Sequence, residues 1–148
     1  MRFEGDYLKG KRNGKGKEYN DDGKLKFEGE YLNNEKNGNV KEYDDDGKLR
    51  FKGEYIKGKR NGKGMEYFYD GELRFEGEYL NGEKNGKGKE YDDGELIFEG
   101  EYLNGKKWKG KGKEYNDDGI LIFEGEYLDG KKCYSKFKEN DNSTNENI

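Results

Sequence analysis

Side chains that carry out covalent or metal chemistry are scarce in this chain. It contains no histidine and a single cysteine, Cys133, near the C-terminus. Nucleophile–base pairs and disulfide frameworks require more of these residues, so no familiar catalytic constellation is present. Carboxylates and lysines are abundant, but each occurs in many similar copies along the chain. We therefore predict a protein that is not an enzyme and that uses no cofactor.

Acidic clusters are the sequence feature closest to a metal site. They occur at residues 21–22, 44–46 and 117–118, and a glycine follows each of them. An EF-hand calcium loop that began at Glu42 would have Gly53 at the position where a bidentate glutamate is needed. Helical flanks are also missing. The clusters are therefore predicted to be turns, and no metal is expected.

A lysine-rich segment after Gly105 imitates a phosphate-binding loop. Gly112, however, stands where a serine or threonine must bind magnesium. The segment also lies between two short predicted strands and opens no helix. We therefore expect no nucleotide, and the formal net charge of −4 gives no support for nucleic-acid binding.

The same residues recur at regular intervals, which predicts a repeat architecture. Successive units are 24, 24, 24, 23 and 25 residues apart, and they start at Phe3, Phe27, Phe51, Phe75, Phe98 and Phe123. The shorter fourth unit changes before Gly94 and the longer fifth unit changes around Trp108. Both changes are expected to fall in turns, where insertions are tolerated.

The array is predicted to span residues 1–132, with a degenerate cap and a polar, disordered tail at residues 133–148. The 43% charged content alone would suggest disorder. The 15% aromatic content and its regular spacing indicate order instead. The N-terminus enters the repeat at once, and no apolar run is long enough to span a membrane. A cytoplasmic location is therefore expected, peripheral to a membrane or the cytoskeleton.

Each unit reads as two β-strands and two turns. Residues 48–55 alternate apolar or small side chains with charged ones, which indicates a half-buried strand. Asn37-Gly38 and Asp46-Gly47 supply the positive backbone angles that hairpin turns need. By parity the second tyrosine of each unit falls on the charged face, unless a bulge redirects it.

A strand register follows from the side-chain pattern. Pairing Gly5 with Gly16, Tyr7 with Gly14, and Gly16 with Phe27 on its other side puts rings and glycines on one face. The rings then cover the glycine backbone. Charged side chains occupy the other face as pairs of opposite sign, each worth roughly 0.2–1 kcal/mol.

The strings Phe27-Glu28-Gly29-Glu30-Tyr31 and Asn61-Gly62-Lys63-Gly64 resemble the MORN (membrane occupation and recognition nexus) repeat. The resemblance covers residues 3 to about 132. Tyrosine stands where that family usually has tryptophan, and the Gly47-Lys48-Leu49 ending is similar to the divergent MORN variant. In the second unit the Gly-x-Gly motif has become Gly38-Asn39-Val40.

The resemblance implies an all-β, elongated, single-layer antiparallel meander of hairpins with about 11 to 12 strands. It also implies a scaffold for partner proteins, often in membrane-associated or cytoskeletal assemblies. Phospholipid binding has been proposed for the family but is not uniform across it.

Two surfaces are candidate binding sites. The aromatic face is expected to receive a helix or extended segment of a protein partner through Phe27, Tyr31, Phe51, Tyr55, Phe75, Tyr79, Phe98 and Tyr102. Alternatively, these rings only cover glycines and stabilise the ribbon. The second surface is a basic rim of alternate turns, which is expected to bind anionic phospholipid, each lysine contributing about 1 kcal/mol. Its residues are Lys9, Lys11, Arg12, Lys57, Lys59, Arg60, Lys106, Lys107, Trp108 and Lys109.

Overall fold

A computed structural model describes residues 1–134, which form β-strands joined by turns. The strands are β1 (Arg2–Leu8), β2 (Lys11–Tyr19), β3 (Leu25–Leu32), β4 (Glu35–Tyr43), β5 (Leu49–Ile56), β6 (Lys59–Tyr67), β7 (Leu73–Leu80), β8 (Glu83–Asp92), β9 (Glu95–Leu103), β10 (Lys106–Tyr115), β11 (Leu121–Leu128) and β12 (Lys131–Tyr134). They form one open antiparallel sheet in sequence order. The predicted all-β meander is confirmed. The polar tail predicted after β12 lies outside the described residues.

Two kinds of turn alternate along the sheet. Tight turns such as Lys9-Gly10 have positive φ at both residues, 49° and 78°, as a type I′ hairpin turn requires. Wide turns are closed by a polar side chain: the side-chain oxygen of Asn20 accepts the amides of Asp22 and Lys24. The Asp44 carboxylate does the same in the next wide turn. The acidic clusters therefore lie in turns, as predicted.

Both changes in unit length are visible in the connections. In the fourth unit the missing residue converts a wide turn into a tight one at Asp93-Gly94. In the fifth unit the extra residue does not lie in a turn, which corrects the sequence prediction. Trp108 instead lies within β10, at a bulge between Lys107 and Lys109. A bulge accommodates an unpaired residue without ending the strand.

The register differs from the predicted one at the bulges. Gly5 pairs with Gly16 as predicted, but a bulge follows and Tyr7 lies opposite Arg12. On its other side Gly16 faces Gly29 rather than a phenylalanine. Asn37-Gly38 also lies within β4 and is not a turn. Its positive φ of 110° at the glycine marks the equivalent bulge.

The core is a row of aromatic rings on one side of the sheet, called here the aromatic face. Phe51 and Phe75 are 0% exposed. The first phenylalanine of each of the first five units packs edge-on against two tyrosines, as Phe51 does against Tyr55 and Tyr79 at centroid distances of 6.2 and 5.6 Å. Such pairs add about 0.5–1.5 kcal/mol each beyond their burial. The contacts continue without a break from one end of the sheet to the other, so the rings serve as the core of a single-layer protein.

Glycines lie beneath the rings because there is little room for a side chain. A Cβ built on Gly64 would lie only 2.7 Å from the ring of Phe51. In the second unit Val40 occupies the equivalent place and is buried. The Phe27 and Tyr55 rings beside it are 6.2 Å apart, compared with 5.6 Å for the matching pair in the next unit. The ring row therefore adjusts to a larger residue by opening locally.

Candidate functional site

A layer of ion pairs, called here the lid, closes the aromatic face. In the third unit the Arg60 guanidinium carbon lies 3.8 Å from the centroid of Phe51. The same guanidinium pairs with Glu42 at 2.7 Å and with Glu66 at 3.3 Å. Glu66 also accepts a hydrogen bond from the Tyr79 hydroxyl at 2.6 Å. The ring is thus covered by a cation, and the hydroxyl is held by a carboxylate.

The lid recurs along the sheet with the same three partners. The other cations lie 4.0 to 5.4 Å from the phenylalanine centroids, and they are Arg12, Lys36, Lys84, Lys107 and Lys132. The other carboxylates accept hydrogen bonds from tyrosine hydroxyls, and they are Glu18, Glu42, Glu90 and Glu114. Sequence reasoning missed the lid, although its cation falls nine residues after each phenylalanine.

The rings predicted to bind a partner are buried in this arrangement. Their exposed fractions run from 0% to 8%, for Phe27, Tyr31, Phe51, Tyr55, Phe75, Tyr79, Phe98 and Tyr102. The face above them presents ion pairs to solvent instead of rings. This burial favours the alternative, in which the rings stabilise the ribbon, and partner binding by these rings stays a prediction.

Burial and the lid carboxylates raise the pKa of the tyrosine hydroxyls. Burial raises the pKa of Tyr79 far above its usual range, and the hydrogen bond to Glu66 and the charge of that carboxylate raise it further. Tyr102 shows the same pKa direction, with Glu90 as its acceptor. On the opposite face, burial followed by the Glu28 hydrogen bond raises the pKa of Tyr43 to about 12. The folded state therefore holds these hydroxyls neutral.

Alkaline pH is expected to destabilise the protein through these tyrosines. In the unfolded chain a tyrosine ionises near pH 10, whereas in the fold its pKa is higher. The folded state therefore binds more protons above about pH 10, so stability is complete below that pH and falls as pH rises through the folded values. Urea unfolding at a series of pH values measures this loss.

Tyr79→Phe is the matched variant, because it removes one hydroxyl whose pKa is raised. The free energy of unfolding should then fall less steeply with rising pH, with a slope that is smaller by about one bound proton. An unchanged pH dependence in Tyr79→Phe would contradict the assignment.

The opposite side of the sheet, called here the groove face, carries a long groove. Its floor is the backbone of a row that runs from Gly5 to Gly100, and its volume is about 1680 Å³. It crosses β1 to β9, roughly 40 Å at about 4.8 Å between strands. One wall, called the first wall, is formed by Glu4, Lys17, Glu28, Lys41, Lys52, Met65, Glu76, Lys89 and Glu99. Further charged residues and Asn39 form the second wall.

Charges along the first wall alternate over most of its length. Glu4 faces Lys17, and Lys17 faces Glu28 on its other side. Glu76 faces Lys89 near the other end. Such pairs stabilise a sheet without any ligand, so the high charge content of the chain is partly structural.

The groove changes course between β9 and β10. Gly100 faces Gly110 there, whereas Gly112 continues the glycine row into β11. The pairing of β9 with β10 is irregular at Trp108, and the glycine row is offset by two residues beyond it. A smaller hollow, lined in part by Ile97 and Lys113, continues on the far side.

The second tyrosine set lies on the groove face, as parity predicts. The Tyr43 hydroxyl donates to Glu28 at 2.6 Å, and Tyr91 donates to Glu76 at 3.0 Å. Tyr115 lies near Glu95 at 3.2 Å. Sequence alone did not determine the face of these tyrosines, because a bulge at each wide turn could have redirected the rings.

The predicted basic rim divides into two groups. Arg12, Arg60 and Lys107 are half-buried in the lid. The remaining residues are exposed, namely Lys9, Lys11, Lys57, Lys59, Lys106, Trp108 and Lys109. Beside them lies an apolar row that sequence reasoning missed, with one residue directly before each tight turn of this rim. These side chains are 40% to 58% exposed, and they are Leu8, Leu32, Ile56, Leu80, Leu103 and Leu128.

Comparison with known families agrees with this architecture. Residues 12–33 and 36–57 match the MORN repeat variant, and residues 51–72 and 75–95 match the MORN repeat. The chain belongs to the MORN repeat family. Such repeats are generally associated with protein–protein or membrane and lipid interactions, and their proteins are typically non-enzymatic scaffolds. No curated protein matches the chain. Among the described residues there is no helix able to cross a membrane.

Proposed function

We propose that this protein is a non-enzymatic scaffold that holds an extended segment of a protein partner in the groove. The observation that carries the proposal is the continuity of the groove from β1 to β9. The aromatic face is covered by its own lid, whereas the groove on the opposite face is open. Repeat ribbons commonly bind partners along such extended surfaces.

The dimensions of the groove favour an extended chain over a helix. Residues on either side of a floor glycine are two apart in one strand, so the walls rise about 7 Å from each other. An α-helix with side chains is about 10–12 Å wide and does not fit between them. An extended segment does, and roughly 12 residues at about 3.3 Å each span the groove.

The walls also favour a polar partner. Lys63 and Lys87 on the second wall are exposed, and they face Glu78 and Glu101 across the strands. Both signs of charge are therefore within reach of a bound segment. The charged side chains of the segment can pair with wall residues of either sign. Such pairs determine the register of the segment more than its affinity.

A second candidate function is binding of an anionic membrane by the basic rim. The apolar row next to Lys9, Lys11, Lys57 and Lys59 favours it, because apolar insertion and lysine charge act together at a membrane surface. Against this, Glu35 and Glu83 occupy the same rim in the second and fourth units. The groove therefore remains the first candidate.

Two variants with equal charge change distinguish the two surfaces. Lys63→Glu/Lys87→Glu reverses charge in the groove, and Lys9→Glu/Lys57→Glu reverses it on the rim. If the groove holds the partner, the amount of partner captured in affinity purification falls at least about tenfold in the groove variant. The amount captured by the rim variant is unchanged. Circular dichroism confirms that both variants remain folded.

Flotation with phosphoinositide-containing liposomes is the parallel measurement. Liposome binding that is lost in the rim variant, with partner capture unchanged in the groove variant, would transfer the function to the rim.

A further inference from the structure

The alternating first wall is interrupted in the third unit. Lys52 stands where the other units have a glutamate, which is Glu4, Glu28, Glu76, Glu99 or Glu124. Met65 stands where the neighbouring units have a lysine. As a result Lys41 faces Lys52, and Lys52 faces Met65. Lys41 and Lys52 are the sole pair of cations that face each other among the paired residues of the described strands.

This substitution also removes the acceptor of a tyrosine. In the second and fourth units the groove-face tyrosine donates to the wall glutamate, as Tyr43 does to Glu28. In the third unit the equivalent acceptor would be residue 52, which is a lysine. The Tyr67 hydroxyl instead lies 3.4 Å from the Met65 sulfur. A thioether is a weak acceptor, so among the described residues this hydroxyl has no counterpart of the carboxylates that accept from Tyr43 and Tyr91.

Arg50 on the adjoining strand provides an independent observation. Its Nη1 atom is buried and has no hydrogen-bond partner among residues 1–134. The equivalent cations are engaged, since Arg2 lies over the Tyr19 ring and Lys26 pairs with Asp45. Phe51 pairs with Glu66, which makes Arg50 and Tyr67 neighbours across β5 and β6. An unpaired buried guanidinium nitrogen is costly unless something binds it.

We propose that Lys41, Arg50, Lys52 and Tyr67 form an anion pocket that receives a carboxylate of the partner segment. Lys41 and Lys52 line the first wall near the middle of the groove, and Arg50 and Tyr67 lie beside them on β5 and β6, so this inference rests on the proposed function of the groove. The partner's aspartate or glutamate takes the place of the wall glutamate that this unit lacks. It neutralises the facing lysines and accepts from the Tyr67 hydroxyl and the guanidinium. One carboxylate of the partner thus fixes the register in which its segment lies in the groove.

The pocket makes a prediction about stability as well as binding. Lys52→Glu restores the alternation found in the other units. It gives Lys41 an opposite charge and Tyr67 an acceptor. We expect the melting temperature to rise by about 1–4 °C while anion binding is lost. A substitution that stabilises the fold but abolishes anion binding shows that Lys52 has a role in binding and not in folding.

Nuclear magnetic resonance titration of the labelled full chain tests the proposal. The probes are inorganic phosphate and two extended peptides that differ only by a central glutamate or glutamine. We expect phosphate to shift the Arg50, Lys52 and Tyr67 signals, and the glutamate peptide to bind about tenfold more tightly than the glutamine peptide. In Lys52→Glu both effects should disappear. In the control Lys24→Gln, which changes an exposed lysine of a wide turn outside the groove, both should persist.

The alternative outcomes separate the pocket from the groove. Both peptides binding equally would leave the groove as the partner site and overturn the pocket. A phosphate response at Arg50 with no peptide binding would support the pocket and count against the groove. No response at these signals, or equal anion binding by Lys52→Glu, would overturn the inference.

Discussion

Phe51→Ala is expected to lower the free energy of unfolding by about 3–5 kcal/mol. The ring is 0% exposed, and it contacts Tyr55, Tyr79 and the overlying Arg60. A single-layer sheet has no second layer that can move into the cavity. A loss of this size is a large part of the 5–15 kcal/mol that stabilises a typical domain. Urea unfolding followed by circular dichroism measures it.

Phe3→Ala is the matched control at the end of the array. Phe3 is half-buried, and the tyrosine of its own unit, Tyr7, is 60% exposed. In a repeat array each unit contacts only its neighbours, so a terminal unit contributes less than a central one. The expected loss is about 1–2 kcal/mol. Equal losses for Phe3→Ala and Phe51→Ala would show that the ring row is not a cooperative core.

Gly53→Ala is expected to destabilise the protein by about 3 kcal/mol, and Gly64→Ala by about 1 kcal/mol. The two glycines face each other across β5 and β6. A Cβ on Gly53 would lie 2.7 Å from the carbonyl oxygen of Lys63 and 2.8 Å from the Gly64 Cα. Backbone in a paired strand cannot move aside without losing hydrogen bonds.

A Cβ on Gly64 meets side chains instead, at 2.7 Å from Phe51 and 2.9 Å from Tyr79. Rings can slide, as the second unit demonstrates with Val40 at the equivalent position. There the glycine equivalent to Gly53, which is Gly29, is retained. Thermal and urea unfolding of both variants provide the comparison. A larger loss for Gly64→Ala than for Gly53→Ala would contradict this account of the glycine pair.

Much of the fold could be predicted because it is local and repeated. Alternation of side chains around Phe51 predicts a strand, since period two puts successive residues on opposite faces. The pairing of Gly5 with Gly16 follows from matching small residues with rings. Acidic clusters such as residues 44–46 precede glycines, and a turn needs both kinds of residue. Repetition in each unit made these patterns stronger than a single copy would be.

The positions of the bulges could not be predicted from these local patterns. Asn37-Gly38 has the composition of a hairpin turn but lies inside β4. The hairpin is closed instead by Asn33 and Asn34, both with positive φ. Two turn-compatible dipeptides lie four residues apart, and local propensity does not choose between them. Pairing with the neighbouring strand decides, because Leu32 pairs with Glu35 and leaves Asn33 and Asn34 as the turn.

The lid shows the same limit for side chains. Arg60 follows a turn and reads as a rim residue. Its position after the bulge turns it toward the rings, where it covers Phe51 and pairs with Glu42 and Glu66. A long side chain can reach either a rim or a face, and its backbone direction decides which. That direction depends on the cross-strand register, so the burial of the predicted docking rings was hidden as well.

The sequence by itself determined the repeat, the strand period, the family and the ring–glycine pairing, since these depend on residue types at fixed spacing. The tertiary structure decided which face is open. Bulges in alternate strands direct the lid over the rings and leave the opposite face as a groove, and one residue change per strand is enough to alter such a direction. The irregular Lys52 was visible in the sequence, but its meaning came from the sheet. Only strand pairing places it opposite Lys41 on one side and opposite Met65, the neighbour of the Tyr67 hydroxyl, on the other.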